Sequence, residues 1–309
     1  MTRRGFVLVT VFFTMVLCGA PARAQDRGSV DPAPLPPLAN PQDPKTAAKD
    51  LFGRKTNPAP LAARSIGFYS RGCLAGGIAL PVNGPSWQVM RLSRNRNWGH
   101  PNLVKFLERF AVRVPKVGWP GLLVGDLAQA RGGPMLTGHT SHQLGLDADI
   151  WLTPMPNREL TRAEREEMSA VDMVRPDKRD VDASVWTPQH TALIRAAALE
   201  PAVERILVNG AIKKALCREA TGDRTWLRKV RPWYGHNYHM HLRIGCPSDS
   251  PECKPQDATP ETDGCGAELD YWLSDKVLNP PPPKEPPKPK PPLTLADLPP
   301  ACKQIVFTP

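Results

Sequence analysis

The chain has 309 residues, enough for one or two domains at roughly 100–200 residues each. Apolar residues make up 41% and charged residues 23%, which allows a buried core and excludes disorder throughout. Lys and Arg number 40 against 30 Asp and Glu, for a formal charge of +10, and the 37 prolines are clustered rather than spread.

Residues 1–24 have the form of a secretory signal peptide. Arg3 and Arg4 make a basic start, Phe6 to Leu17 a short apolar run, and Ala22-Arg23-Ala24 a small-x-small cleavage site. That run falls short of the roughly 20 residues a membrane span needs, so no span is expected. Leu17 is too bulky for the lipobox that would lipidate Cys18. Loss of Arg3, Arg4 and Arg23 leaves a charge of +7 on the mature chain. This charge raises the question of nucleic-acid binding, but the basic residues form no dense run, and export argues against it.

Residues 25–62 are rich in Pro and Ala and read as an extended lead-in, and a globular pattern begins at about 63. Pro101 to Val114 carries apolar residues at helical spacing with Pro in the first turn. Gly121 to Leu127 reads as a buried strand, and Leu146 to Leu152 alternates as another. Thr187-Pro188 opens a helix running to Leu199. A strand is expected over Arg205 to Asn209, a short helix over Ala211 to Cys217, and an alternating strand over His239 to Ile244. The globular domain closes at 278. Residues 279–309 form a Pro/Lys-rich strap, tied back to the body by Cys302.

Without Cys18, six cysteines remain in an exported chain, which reads as three disulfides with 15 conceivable pairings. Only Cys246–Cys253 is favoured by proximity. A thiolate zinc site would need a C-x-x-C pair, and none is present.

Of the seven histidines, five lie in two short segments. His139 and His142 sit in GHTSHQLGLDAD (138–149), and His236, His239 and His241 in GHNYHMH (235–241). Alternation along a strand puts His239, His241 and Arg243 on one face, and likewise Asp147 with Asp149. Imidazole and carboxylate together suit a catalytic zinc, which takes three protein ligands and keeps one position for water. His100 and His190 stand apart and read as satisfied structural residues. The chain lacks G-x-S-x-G, H-E-x-x-H, a P-loop and G-x-G-x-x-G.

The segments SHQLGLDADIW (141–151) and WLRKVRPWYGHNYHMH (226–241), with CGAEL (265–269) and the Pro-Lys tail, resemble the penicillin-insensitive murein endopeptidases. Those belong to the wider lysostaphin-like, D-Ala-D-Ala peptidase and hedgehog-like metalloproteins. The resemblance covers about 63–303. It implies an α+β fold with a small antiparallel sheet carrying the metal site, flanked by helices and held by disulfides. It also implies a zinc endopeptidase acting in the periplasm on the D-alanyl–meso-diaminopimelyl cross-link peptides of peptidoglycan. A zinc D,D-carboxypeptidase and a non-catalytic peptidoglycan-binding protein are the alternatives, and intact ligand motifs speak against the second. The oligomeric state stays open, a dimer included.

The implied zinc ligands are His142, Asp149 and His241. His239 is the implied catalytic group, with His236 assisting. His139 is implied in a second zinc site, with Asp177 and Asp180 on a later loop. The family pattern carries histidine where this chain has Asp180. Asp147 reads as a partner of a ligand or as a structural hydrogen-bonding residue. Arg228, Lys229 and Arg231 read as holders of substrate carboxylates or as a solvated basic stretch. The implied disulfides are Cys73–Cys302, Cys217–Cys265 and Cys246–Cys253.

Overall fold

A computed structural model of the chain describes residues 28–283, 285 and 290–309. The signal-peptide reading of 1–24 and the strap residues Lys284 and Lys288 lie outside them. The architecture is α+β. A seven-stranded sheet runs in the order 230–232, 203–208, 239–244, 147–151, 122–124, 87–89 and 83–84. Its centre is antiparallel as expected, since His239–Ile244 pairs antiparallel with both Asp147–Trp151 and Val203–Val208. The sheet is larger than expected and mixed, because Val230–Pro232 and Trp87–Val89 add parallel neighbours. Those strands are three residues long, too short to show alternation in the sequence.

One face of the sheet is apolar. Ala148, Ile150, Met240, Leu242 and Ile244 project into the main core. Helix Pro101–Arg113 meets them with Leu103, Phe106, Leu107 and Phe110, spaced three or four apart so that they share a stripe. Helices Pro188–Ala198 and Gly210–Glu219 complete the layer, with Leu193, Ile194, Ile212 and Leu216 buried. Both outlying histidines serve these helices. His100 Nδ1 accepts from the Asn102 N–H at 3.2 Å. His190 Nδ1 accepts from the Thr187 N–H at 3.0 Å while its Nε2 donates to the Leu152 carbonyl at 3.0 Å. The opposite face of the two central strands is left to Asp147, Asp149, His239, His241 and Arg243.

The described part of the lead-in, 28–62, departs from the extended expectation at one point. Ala48–Phe52 is helical, with Ala48, Leu51 and Phe52 buried. They join a second core with Ile66 and Cys73 of the hairpin Arg64–Phe68/Arg71–Ala75 and with Ile305 and Val306 of the terminal helix Pro300–Phe307. Apolar burial there packs the Ala48–Phe52 helix and the terminal helix against the same hairpin. Arg131 donates to the carbonyls of Ile305 and Thr308, where the helix dipole favours a cation.

The disulfides are Cys73–Cys302, Cys217–Cys265 and Cys246–Cys253, the pairs that the resemblance implies. The first spans 229 residues. Closing so long a loop removes unfolded-chain entropy worth about 5 kcal/mol, less any native strain. Replacing both Cys73 and Cys302 by Ser should therefore lower the unfolding free energy in denaturant by about 2–5 kcal/mol and release the terminal helix to proteolysis. A loss below about 1 kcal/mol would show that the second core holds the C-terminus without the bridge. Among the described residues no helix is long and apolar enough to cross a membrane.

Candidate metal centre

Strand pairing sets the centre. In register, His241 stands opposite Asp149 and Arg243 opposite Asp147. Directly opposed side chains on one face lie within contact reach, so two carboxylates meet an imidazole and a guanidinium. His142 reaches the same point from the preceding loop. Its φ is +65°, a left-handed conformation that costs a non-glycine residue about 1–2 kcal/mol. His236, in the turn before the histidine strand, also has positive φ, at +53°. Backbone strain of this kind concentrates at functional sites. The His142 N–H donates to Asp147 Oδ2 at 3.2 Å, which helps to hold its loop against the strand.

Asp149 is the hub. Its Oδ1 lies 3.1 Å from His241 Nδ1, 3.4 Å from His142 Nε2 and 3.6 Å from His239 Nε2. Its Oδ2 lies 3.3 Å from His139 Nε2. Ligand atoms of His139, His142 and Asp149 all fall within 4.8 Å of one another, so this group could hold a metal ion. Burial should raise the Asp149 pKa, but His142, His239 and His139 around it pull it well below the usual carboxylate range.

A cation fits what the buried groups lack. Both nitrogens of His142, both nitrogens of His239 and Asp149 Oδ1 are buried without a hydrogen-bond partner. Polar atoms left so are costly, and a shared ion would satisfy several at once. Four donors about 2.0–2.1 Å from a tetrahedral zinc stand about 3.4 Å apart. The His142–Asp149 and His241–Asp149 separations match that spacing.

Asp147 acts on His241 from behind. Its Oδ1 accepts from His241 Nε2 at 2.8 Å and from Arg243 Nε at 2.6 Å. The bond fixes the proton on Nε2 and turns Nδ1 towards Asp149. Burial opposes ionisation of Asp147, yet Arg243 and His241 keep its pKa below the ordinary value. Burial also opposes a charge on His241, but the Asp147 and Asp149 carboxylates beside its two ring nitrogens outweigh it and raise its pKa. The ring thus lies between two negative charges, where positive charge is favoured. Asp147→Asn should weaken metal affinity about 10–100-fold, the usual scale for a partner that orients a ligand. Competition with a chromophoric chelator measures this. An affinity within twofold of the parent protein would make Asp147 purely structural.

His236 and His239 differ from His241. Burial, with the neighbouring histidines, lowers His236 to a pKa of about 3. Burial lowers His239 to about 4, with the pull of Asp149 only partly opposing it. Both are neutral at neutral pH. His236 Nδ1 donates to the Tyr234 carbonyl at 2.8 Å, which leaves Nε2 as an acceptor. The His236 and His239 rings lie 4.9 Å apart.

The proposed second-site carboxylates are not brought to His139. Asp177 pairs with Arg175, and Asp180 pairs with Arg218 and Lys214 at 3.0 and 3.1 Å. Besides Asp149, the carboxylate beside His139 is Asp126, 3.3 Å from its Nε2, and sequence reading missed it. Asp126 is buried and paired with Arg94 and Arg96. Burial would raise its pKa, but His139 and the two arginines bring it below the ordinary value. Its only sequence signal is an acid just past the buried strand Leu122–Val124. The basic stretch serves structure in part. Arg231 pairs with Glu268, Lys229 donates to the Glu200 carbonyl, and Arg228 is exposed.

A family model described as penicillin-insensitive murein endopeptidase matches residues 65–307. A penicillin-insensitive murein endopeptidase of Haemophilus influenzae is 45% identical over 254 residues, covering 80% of this chain and 84% of that relative. Those of Escherichia coli K12 and Citrobacter koseri are each 44% identical, covering 81% of this chain and 89% of the relative.

Proposed function

The chain belongs to the penicillin-insensitive murein endopeptidase family, and from that premise we propose that it is a zinc-dependent endopeptidase of the periplasm. Its substrate is the D-alanyl–meso-diaminopimelyl amide that cross-links peptidoglycan stems, and residues 1–24 direct its export. The carrying observation is the buried Asp149 carboxylate, faced by His142, His239 and His241 with five site atoms lacking hydrogen-bond partners.

His142 Nε2, Asp149 Oδ1 and His241 Nδ1 would hold the zinc. When bound, zinc supplies a Lewis acid for the scissile carbonyl and makes water nucleophilic near neutral pH. His239, neutral and buried beside Asp149, offers a ring nitrogen to take the proton of the attacking water. Once protonated, it stands where it can stabilise developing negative charge or return the proton to the leaving amine. His236 Nε2, unprotonated because Nδ1 is committed to Tyr234, can share that proton. Asp147 and Arg243 keep His241 in its tautomer throughout. In this scheme no serine is acylated, so a β-lactam finds no nucleophile to trap.

His139 remains a second contact to Asp149, and with Asp126 it makes the more economical candidate for any second ion. The Asp177 and Asp180 loop is committed to cations instead.

Mass spectrometry of a digest of purified cross-linked muropeptide dimers tests the bond cleaved. From a tetrapeptide–pentapeptide dimer, one tetrapeptide and one pentapeptide monomer should appear, with the terminal D-alanine of the pentapeptide retained. Release of D-alanine alone would identify a carboxypeptidase. An intact dimer under conditions of full metal loading would identify a wall-binding protein without activity.

A further inference from the structure

Beside the centre lies a cavity of about 620 Å³ that the mechanism leaves unused. It falls in the size range of small-molecule sites. Its wall is aromatic. Trp233 and Tyr234 are about half exposed, at 51% and 59%, and Trp272 packs with them at centroid distances of 5.9 and 4.8 Å. Large aromatic side chains are seldom left open together on a surface without a partner. Gly235 alone separates Tyr234 from His236, and the Asn209 N–H donates to the His236 carbonyl at 3.0 Å. The shelf is therefore continuous with the hydrolytic centre.

The edges of the cavity are polar without net demand for charge. Asn209, Asn237 and Asp172 line it, and Asn237 Nδ2 donates to Asp172. Its two rim cations are engaged, Arg175 by Asp177 and Lys178 by the Leu278 carbonyl at 3.4 Å. The lining sets two acids, Asp172 and Asp182, against two bases, Arg175 and Lys178, so a carboxylate of the stem peptide meets no net positive charge there. The complement is a neutral ligand with apolar faces and hydrogen-bonding edges. A hexosamine ring has this form, since its C–H bonds lie against an aromatic face while hydroxyl and acetamido groups meet amides and carboxylate.

We infer that the Trp233–Tyr234–Trp272 shelf is a subsite for an N-acetylated amino sugar of the glycan strand, next to the peptide being cut. The inference rests on the murein reading. It makes the protein a reader of glycan as well as of peptide, so that cross-links still attached to strands are cut in preference to free peptide dimers.

The test compares two substrates in the full mature protein: a cross-linked muropeptide dimer carrying its disaccharides, and the same peptide dimer after amidase removal of the sugars. The parent protein should show a kcat/KM about fivefold higher on the glycosylated dimer, mainly through KM, the scale of one or two aromatic contacts. Trp272→Leu, which keeps apolar bulk without a ring plane, should bring the ratio near one. Trp272→Phe should retain most of the preference. Equal rates on the two substrates in the parent protein would overturn the subsite, as would an equal loss on both in Trp272→Leu. Calorimetric titration with peptide-free glycan strands separates this inference from the hydrolytic one. Binding that Trp272→Leu abolishes supports the shelf even if neither dimer is cut, and absence of binding to the parent protein refutes it.

Discussion

Replacing Asp149 by alanine should strip the metal from the protein and cut hydrolysis of cross-linked murein by more than about 1000-fold. The size follows from its position. Asp149 stands opposite His241 in the sheet and within 3.6 Å of ring nitrogens from His139, His142, His239 and His241. Without it, four imidazoles crowd one point with no carboxylate to balance a divalent cation. The fold should survive, because Asp149 projects from the face opposite the core formed by Ala148, Ile150, Met240 and Leu242. Asp149→Asn keeps the volume and serves as a second variant. Metal content per chain, circular dichroism and muropeptide hydrolysis should be measured on the same samples. A folded Asp149→Ala protein with parental metal content would remove Asp149 from the ligand set.

His239→Ala should keep the metal and lose at least about 100-fold in rate, the usual scale for a positioned acid–base group. His239 shares a strand face with His241, yet its surroundings differ. His241 is held by two carboxylates, whereas His239 has no hydrogen-bond partner on either ring nitrogen. Burial lowers its pKa to about 4 and so keeps the ring neutral at neutral pH, the state a general base starts from. If metal content falls in parallel with activity, His239 is a ligand and the assignment of roles must be exchanged.

Much of the centre is legible in the chain because strand alternation is a strict rule. Once His239–Ile244 and Leu146–Leu152 are read as strands, the shared faces of His239, His241 and Arg243 and of Asp147 and Asp149 follow. Their register does not, since pairing is decided by packing on the apolar face. The helices at 101–113 and 188–198 also follow from periodicity and from Pro and Thr at their starts, whereas the fold class follows from the resemblance of the motif segments. Asp126 escaped because its partners, Arg94, Arg96 and His139, come from separate segments joined only in the fold. Asp177 and Asp180 are implied as ligands by the resemblance alone, and nothing local shows that Arg218 and Lys214 on a distant helix neutralise Asp180. The hairpin at 64–75 and the terminal helix Pro300–Phe307 are short, and their burial depends on each other and on the Cys73–Cys302 bridge. Trp272 is far enough from the Trp233–Tyr234 pair in sequence that only the folded chain makes them one surface.

Metal removal and return is the most direct measurement of the central claim. Purified protein should be stripped with a chelator, checked for residual metal, and titrated with zinc while hydrolysis of a cross-linked muropeptide dimer is followed. The expected result is loss of activity on stripping and full recovery at one zinc per chain, with no recovery in His241→Ala at the same loading. Full activity in the metal-free protein, or in His241→Ala, would contradict a zinc centre built on His142, Asp149 and His241.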